Sequence, residues 1–502
     1  MRATFALTLL GLAHGLAASI HSAPSCPTTQ LVKGVPFPTM IDATLEDLEY
    51  GLETGLFTSV DLVRTYMDRI LEVNSTLHMV TELNPDALSI AAELDEQRAA
   101  GNVTGPLHGI PVLIKNNIAT NDLMNNTAGS FALLGAKVPR DSTVAAKLRK
   151  AGAIILGKAN LSQWANYRSY NTSNGWSAYG GQTEAAYYPH QDPSGSSSGS
   201  GVASSLGLAW ASLGTETDGS ILSPSDKNNL VGIKPTVGLT SRYLVIPISE
   251  HQDTVGPMAR TVKDAAYLLS AIAGSDSYDN YTTANPNGNR SVNYVSACDY
   301  NALRGARLGV PWNVINYYQS NGNSSATYLN NPVTAPVISA FNASLSLLAS
   351  AGATIVPTNL TVPGAYNSGG NETIVLDADF IVDLANYLKE LTYNPNNITS
   401  LADLRAFTES FPAEQWSPTA RDVGIWNETL ALGFNNTSPQ FWTAWENDQL
   451  LGGPLGLFGS IARDNLDAVL LPTQFAPSFA AIVGAPGVTV PMGFYPPTRL
   501  FP

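Results

Sequence analysis

Three observations predict an α/β fold in which a central β-sheet is buried on both faces by helices. A helical segment from Ser142 to Ala151 passes through Gly152 into an apolar run from Ala153 to Leu156, and the same order returns at Val337 to Ala351, Gly352 and Ala353 to Val356. Other short apolar runs, Ile110 to Ile114, Arg307 to Val310 and Ala468 to Leu471, stand between helical stretches, the alternation expected when helices cover a sheet. Across 502 residues, 44% apolar, no linker-like break divides the chain, which fits one large domain.

The elements follow from punctuation. Arg2 precedes an apolar run from Ala3 to Leu12, and the small residues Ala17 and Ala18 offer a cleavage point before Ser19, so residues 1–18 read as a secretory signal peptide and 19–502 as the mature domain. The alternative is a buried first helix. Thr44 with Asp47, and Ser59 ahead of Val60 to Glu72, mark helix starts; Asp86 to Ala100 is a helix closed by Gly101. The Asn-, Ser- and Tyr-rich stretch from Tyr278 to Asn330 reads as surface loops.

Composition excludes several function classes. With 26 basic against 40 acidic residues the net charge is −14, which argues against a nucleic-acid or anionic-membrane surface, and no stretch after the leader is long enough to span a bilayer. Asn-x-Ser/Thr sequons at Asn74, Asn102, Asn280, Asn289, Asn323, Asn342, Asn359, Asn371, Asn397 and Asn427 suit a secreted glycoprotein, whereas Asn160 lies within a conspicuous motif and is expected to stay unmodified. Cys26 and Cys298 could form one disulfide or remain two thiols. Histidines are sparse and lack metal-ligand spacing, so no metal is expected.

The chemistry concentrates in PSGSSSGSG (Pro193 to Gly201) and GTETDGS (Gly214 to Ser220), which put Ser196 and Ser220 on glycine-bracketed turns, with Lys115 upstream in LHGIPVLIKNN. A serine hydroxyl is a weak nucleophile until a base takes its proton, and lysine is a base only when neutral. The apolar run before Lys115 buries it, which disfavours the ammonium. Glycines near Ser220 let backbone N–H groups of Thr217, Asp218, Gly219 and Ser220 converge on a developing oxyanion. The serine-rich run read by composition alone is a flexible loop. No phosphate-binding G-x-x-x-x-G-K-[ST] or G-x-S-x-G elbow is present. His108 is either a pocket residue or a satisfied structural histidine, and Asp253 either structural or substrate-facing.

Seven stretches together resemble the amidase signature family: GPLHGIPVLIKNNI (105–118), NTAGS (126–130), STVAAKLRKAGAIILGKANLSQWAN (142–166), the serine-rich run, GTETDGS (214–220), GIKPTVGLTSR (232–242) and PISEHQDTVGPMARTVKDAA (247–266). GTETDGS with the QDT-GPM block is most similar to the branch holding bacterial and plant-type peptide amidases and their fungal relatives. The resemblance implies one mixed sheet wrapped by helices, no cofactor, Ser220 as nucleophile, Ser196 as a bridging serine after a cis peptide bond, and Lys115 as base. It further implies hydrolysis of a carboxylic amide through an acyl-enzyme, with small aliphatic or aryl amides and peptide C-terminal amides all admissible. Esterase or acyl-transfer activity at the same site, or an inactive secreted glycoprotein, are the alternatives; oligomeric state is not legible. Asn116 stands where that family commonly has aspartate and Leu222 where it often has arginine, and the chain is expected to be short at its C-terminal end, since it stops at Pro502 where relatives continue through a strand and helix.

Overall fold

The computed structural model describes residues 31–494 apart from 33–34, 172, 289, 321–334, 362–364 and 366–369. The expected leader, Cys26, the sequons at Asn289 and Asn323 and the C-terminal end lie outside the described residues. In chain order the strands that organise the molecule are β1 (Val80–Leu83), β2 (Pro111–Lys115), β3 (Ile154–Ala159), β4 (Ala211–Glu216), β5 (Val231–Lys234), β6 (Thr254–Ala259), β7 (Arg307–Pro311), β8 (Thr354–Thr358), β9 (Ala468–Val469) and β10 (Gly487–Thr489).

The central sheet has the order β10-β5-β6-β4-β2-β3-β1. Strand β2 runs parallel to β3 and β4, while the other pairings are antiparallel, so the sheet is mixed as expected. Every residue of β2, β3, β4, β5 and β6 is buried, the pattern of strands covered on both faces. Strands β7, β8 and β9 instead form a separate parallel sheet in the order β8-β7-β9, with its own apolar cluster around Leu308, Val310, Phe341 and Leu348. The segment from Tyr278 onward is therefore more than surface loop. It carries β7 and the helix Trp312–Ser320, and Thr282 within it is fully buried. Among the described residues no helix is long and apolar enough to cross a membrane.

Local chemistry explains most boundaries. Thr44 caps Leu45–Glu53 in a reciprocal arrangement with Asp47. The next helix, Ser59–Leu77, is capped by Thr58, whose side chain accepts from the Asp61 N–H at 3.1 Å, so the start falls one residue before the Ser59 read from the sequence. Helix Ala87–Ala99 ends before Gly101, which has a φ of +79°. Ser142 caps Thr143–Lys150, and Gly152 then turns the chain into β3 at φ +82°, where a Cβ would lie 2.8 Å from the His108 Cα.

The serine-rich run is ordered rather than flexible. Residues Ser198–Ser205 form a helix with every residue buried. Small side chains let it lie flush on its neighbours, and the hydroxyls find acceptors: Ser198 Oγ donates to Ser194 O at 2.5 Å, Ser200 Oγ to Leu213 O at 3.0 Å, and Ser204 Oγ to Met258 O at 3.1 Å. At Gly199 an added Cβ would sit 2.6 Å from both Asn160 N and O and closer still to Met79 O. Gly199→Ala is therefore expected to destabilise the protein by about 2 kcal/mol through overpacking against backbone, read as a lower urea midpoint with an unchanged slope.

Candidate active site

Lys115 closes β2, and the parallel strand β4 runs beside it into the turn at 217–220, so the candidate residues gather outside the carboxyl ends of neighbouring parallel strands, where open α/β sheets bind ligands. Lys115 is fully buried. Its Nζ donates to Ser196 Oγ at 2.8 Å, to Thr215 Oγ1 at 2.8 Å and to Thr215 O at 3.2 Å. Burial pushes its pKa down to about 7, against the pull of the Asp253 and Glu216 charges. The peptide bond Gly195–Ser196 is cis.

Ser220 reaches this pair through the backbone: its carbonyl accepts from the Ser197 N–H at 3.2 Å. Ser196 is fully buried, whereas Ser220 retains 8% exposure, so of the two serines only Ser220 reaches solvent. The turn itself is held from below by Glu216, whose carboxylate accepts from the N–H groups of Gly219 (2.9 Å), Ile221 (2.6 Å) and Leu222 (2.8 Å). Gly219 is at φ +80°, a conformation that favours glycine, and its N–H is thereby turned to Glu216. From the side, Thr217 Oγ1 donates to Asp253 Oδ1 at 2.5 Å, and Asp253 Oδ2 accepts from the N–H groups of Ile248 (2.8 Å) and Ser249 (3.2 Å). The Asp218 side chain is half-buried and accepts from Ser478 Oγ at 2.7 Å.

The open questions of the sequence resolve at particular atoms. Asp253 takes the structural role. His108 is also structural: it is buried, with Nε2 2.9 Å from Leu94 O and Nδ1 3.1 Å from Thr104 Oγ1. Asn116 organises the NTAGS segment, its Oδ1 accepting from Thr127 N (3.1 Å), Thr127 Oγ1 (2.6 Å) and Gly129 N (3.3 Å). With Leu222 supplying no charge, Lys234 is a cation whose charge acts on Glu216. Asn160 is fully buried and hydrogen-bonded to His78 O, and Asn74 is bonded in both directions to the backbone of Val80. Cys298 is half-buried and has no disulfide partner among the described residues.

Thr215, Glu216 and Lys234 escaped the sequence reading. Alternation along β4 contained the signal for two of them, because consecutive strand residues face opposite ways and one of Thr215 and Glu216 must face Lys115. Among the described residues one group brings metal-type donors together: Glu250, His251 and Asp379, with ligand atoms within 4.8 Å of one another. Hydrogen bonds already engage it. His251 Nδ1 lies 2.8 Å from Asp379 Oδ2, which also accepts from Ser249 Oγ at 2.5 Å, while Asn436 donates to Asp379 Oδ1 at 3.0 Å.

A lysine that burial brings close to neutrality, bonded to a serine at the ends of parallel strands, has the chemistry to accept a proton, and with this fold the class is that of a hydrolase. The chain belongs to the amidase family, whose model matches residues 61–482, and it is an amide hydrolase. It is 51% identical to an Arthroderma benhamiae protein named as an amidase, over 91% of this chain and 78% of that one, and 41% identical to an Arabidopsis thaliana protein named as an amidase, over 90% and 84%. The peptide amidase PAM, solved in complex with the competitive inhibitor chymostatin, superposes with a TM-score of 0.80 at 38% identity, covering 90% of this chain and 91% of that one. The native peptide amidase of Stenotrophomonas maltophilia gives 0.79 at 38% identity, covering 90% of each chain.

The clamp on the turn has a measurable strength. Asp253→Ala strips a half-buried carboxylate from three donors and is expected to lower the unfolding free energy by about 2 kcal/mol, detected by chemical denaturation.

Proposed function

We propose that the amide hydrolysis runs through Ser220, Ser196 and Lys115 and an acyl-enzyme. The observation that carries this reading is the 2.8 Å bond between Lys115 Nζ and Ser196 Oγ, with both groups fully buried. Neutral Lys115 accepts the Ser196 proton while Ser196 accepts that of Ser220, and Ser220 Oγ forms a bond to the amide carbon. The resulting oxyanion lies under the N–H groups of Thr217, Asp218 and Ser220, with the Gly219 N–H held by Glu216. Collapse breaks the C–N bond, and the proton returns through Ser196 to the leaving nitrogen as ammonia or amine departs. Water then repeats the addition and releases the acid. No cofactor or metal enters any step.

Similarity to the peptide amidase structures makes peptide C-terminal amides the first substrates to try, ahead of small aliphatic or aryl amides. Esters that form the same acyl-enzyme, and acceptors other than water, are secondary reactions of one site. We further propose a secreted glycoprotein cleaved after residue 18, which the leader composition supports. Exposed sequon asparagines at Asn102, Asn280, Asn342, Asn359, Asn397 and Asn427 fit that reading, and a mobility shift on deglycosylation tests it.

A fluorophosphonate probe should label the wild-type protein and not Ser220→Ala, and Lys115→Ala should slow ammonia release from a reactive amide by about 10³-fold or more. A folded wild-type protein that neither labels nor hydrolyses any amide of a peptide, aliphatic and aryl panel would overturn the reading.

The pH dependence has a definite sign. Burial holds Lys115 near 7, and only its neutral form is a base, so kcat/KM is expected to fall as pH drops below about 7.

A further inference from the structure

The segment 247–253 brings Asp253 to the turn 217–220, lies outside the helices and strands, and is held from outside by one helix face. Acids at positions 372, 379 and 383 of the helix Asn371–Glu390 stand seven and four residues apart, a spacing that sets them on one side of a helix. Each takes a donor from the segment. Glu372 Oε1 accepts from Gln252 Nε2 at 3.0 Å, and Asp383 Oδ2 from the Glu250 N–H at 2.7 Å. Asp379 Oδ2 accepts from Ser249 Oγ at 2.5 Å and lies 2.8 Å from His251 Nδ1. The hydrolytic steps use none of these acids.

We infer that Asp379 is a positioning residue for the hydrolysis: by holding Ser249 and His251 it fixes the segment whose Asp253 keeps Thr217 in place on the turn 217–220.

Asp379 is fully buried, and a buried carboxylate is tolerated only where donors meet its oxygens. It has them on both: Ser249 and His251 on Oδ2, and Asn436 Nδ2 on Oδ1 at 3.0 Å. The path from it to the turn is continuous. Ser249, fixed through its Oγ, gives its own N–H to Asp253 Oδ2 at 3.2 Å, and its carbonyl accepts from the Asp253 N–H at 2.9 Å. Asp253 is thereby gripped at side chain and backbone together. Its Oδ1 then takes the Thr217 hydroxyl at 2.5 Å, and Thr217 opens the turn whose N–H groups face the oxyanion of the proposed mechanism. The His251 ring is packed as well as bonded, with the Phe441 and Tyr281 ring centroids 5.1 and 5.9 Å away. A donor that acts on the oxyanion contributes to the transition state and not to initial binding, so a displaced Thr217 lowers the rate at saturation and leaves half-saturation where it was.

This rests on the proposed Ser220 chemistry, and the test separates the two. Fluorophosphonate labelling builds charge on a phosphoryl oxygen where the amide oxyanion would form, so its maximal rate and half-saturating probe concentration are the readouts. They are measured for the wild type, Asp379→Asn, Asp379→Ala, Ser249→Ala, Thr217→Val and the Ser249→Ala/Thr217→Val double variant, with circular dichroism confirming each fold. Asp379→Ala and Ser249→Ala should each lower the maximal rate ~10-fold or more, as a misplaced group does. Half-saturation should stay within ~3-fold. Asp379→Asn keeps an oxygen for Ser249 and His251, and rotation of the Asn436 amide satisfies its other side, so its rate should stay within ~3-fold of the wild type. In the Thr217→Val background the last link is already cut, and there Ser249→Ala should cost less than ~2-fold; a merely structural role would cost the same factor in both backgrounds. Should Asp379→Ala fail to fold, Ser249→Ala, which loses a single hydroxyl, decides. A wild-type rate in Ser249→Ala, an Asp379→Asn protein as slow as a folded Asp379→Ala, or equal Ser249→Ala costs with and without Thr217→Val overturns the inference while leaving the Ser220 reading intact. A wild type that does not label at all overturns both.

Discussion

Everything at the site depends on burying Lys115 without a carboxylate to touch. An ammonium in that position loses its hydration, and burial brings the group close to neutrality. Two other lysines share the treatment: Lys158 on β3 and Lys234 on β5 are fully buried, and burial lowers them to about 7 and about 8. What separates the three is the acceptor each has found. Lys158 Nζ donates to Ile118 O and, at 2.8 Å, to the Asn126 amide oxygen, and Lys234 donates to Ala485 O. Carbonyl and amide oxygens have no proton to give back. Lys115 alone of the three is bonded to hydroxyls, those of Ser196 and Thr215, so its neutral form can take a proton from its partner.

The sheet makes that burial possible, and the small residues around it set the distances. Parallel neighbours β3 and β4 flank β2 and put the end of each strand at one level. The helix Ser198–Ser205 then packs against this layer closely enough for Ser197 Oγ to donate to Thr215 O at 3.1 Å, the same carbonyl that Lys115 contacts. A bulkier helix would stand farther off, because Gly199 already lies against Asn160. Serine suits the position on two grounds, being small and having a hydroxyl that satisfies buried carbonyls.

Much of this was legible in the order of residues. The helix, glycine, strand units at 142–159 and 335–358 were visible because Gly152 and Gly352 interrupt apolar periodicity where the chain must reverse, and both adopt positive φ. The apolar run before Lys115 announced a buried strand, and burial of the lysine followed. Less was visible where the decisive partner is remote in sequence. That β7, β8 and β9 leave the central sheet for their own is a matter of pairing between residues 307, 354 and 468, which no local pattern encodes. The serine run misled by composition, since low complexity looks the same whether the small residues are solvated or pressed between strands.

Two acids separated by one residue meet different partners around the turn, although burial raises the pKa of both. Glu216 is buried beneath the turn, where three backbone N–H groups and the nearby Lys234 favour its charged form against the upward push of burial. Two of those N–H groups, from Ile221 and Leu222, open the short helix Leu222–Lys227, a setting in which backbone dipoles favour an anion. Burial first, and then the charge of Glu372, push Asp218 up to about 7. A charge on Glu216 is thus met by three N–H groups under the turn, whereas Asp218 beside the turn meets the Ser478 hydroxyl. Reversing the two, with an ionised residue 218 and a neutral residue 216, would leave the same backbone path but oppose the charge that the proposed attack by Ser220 would develop on the amide oxygen.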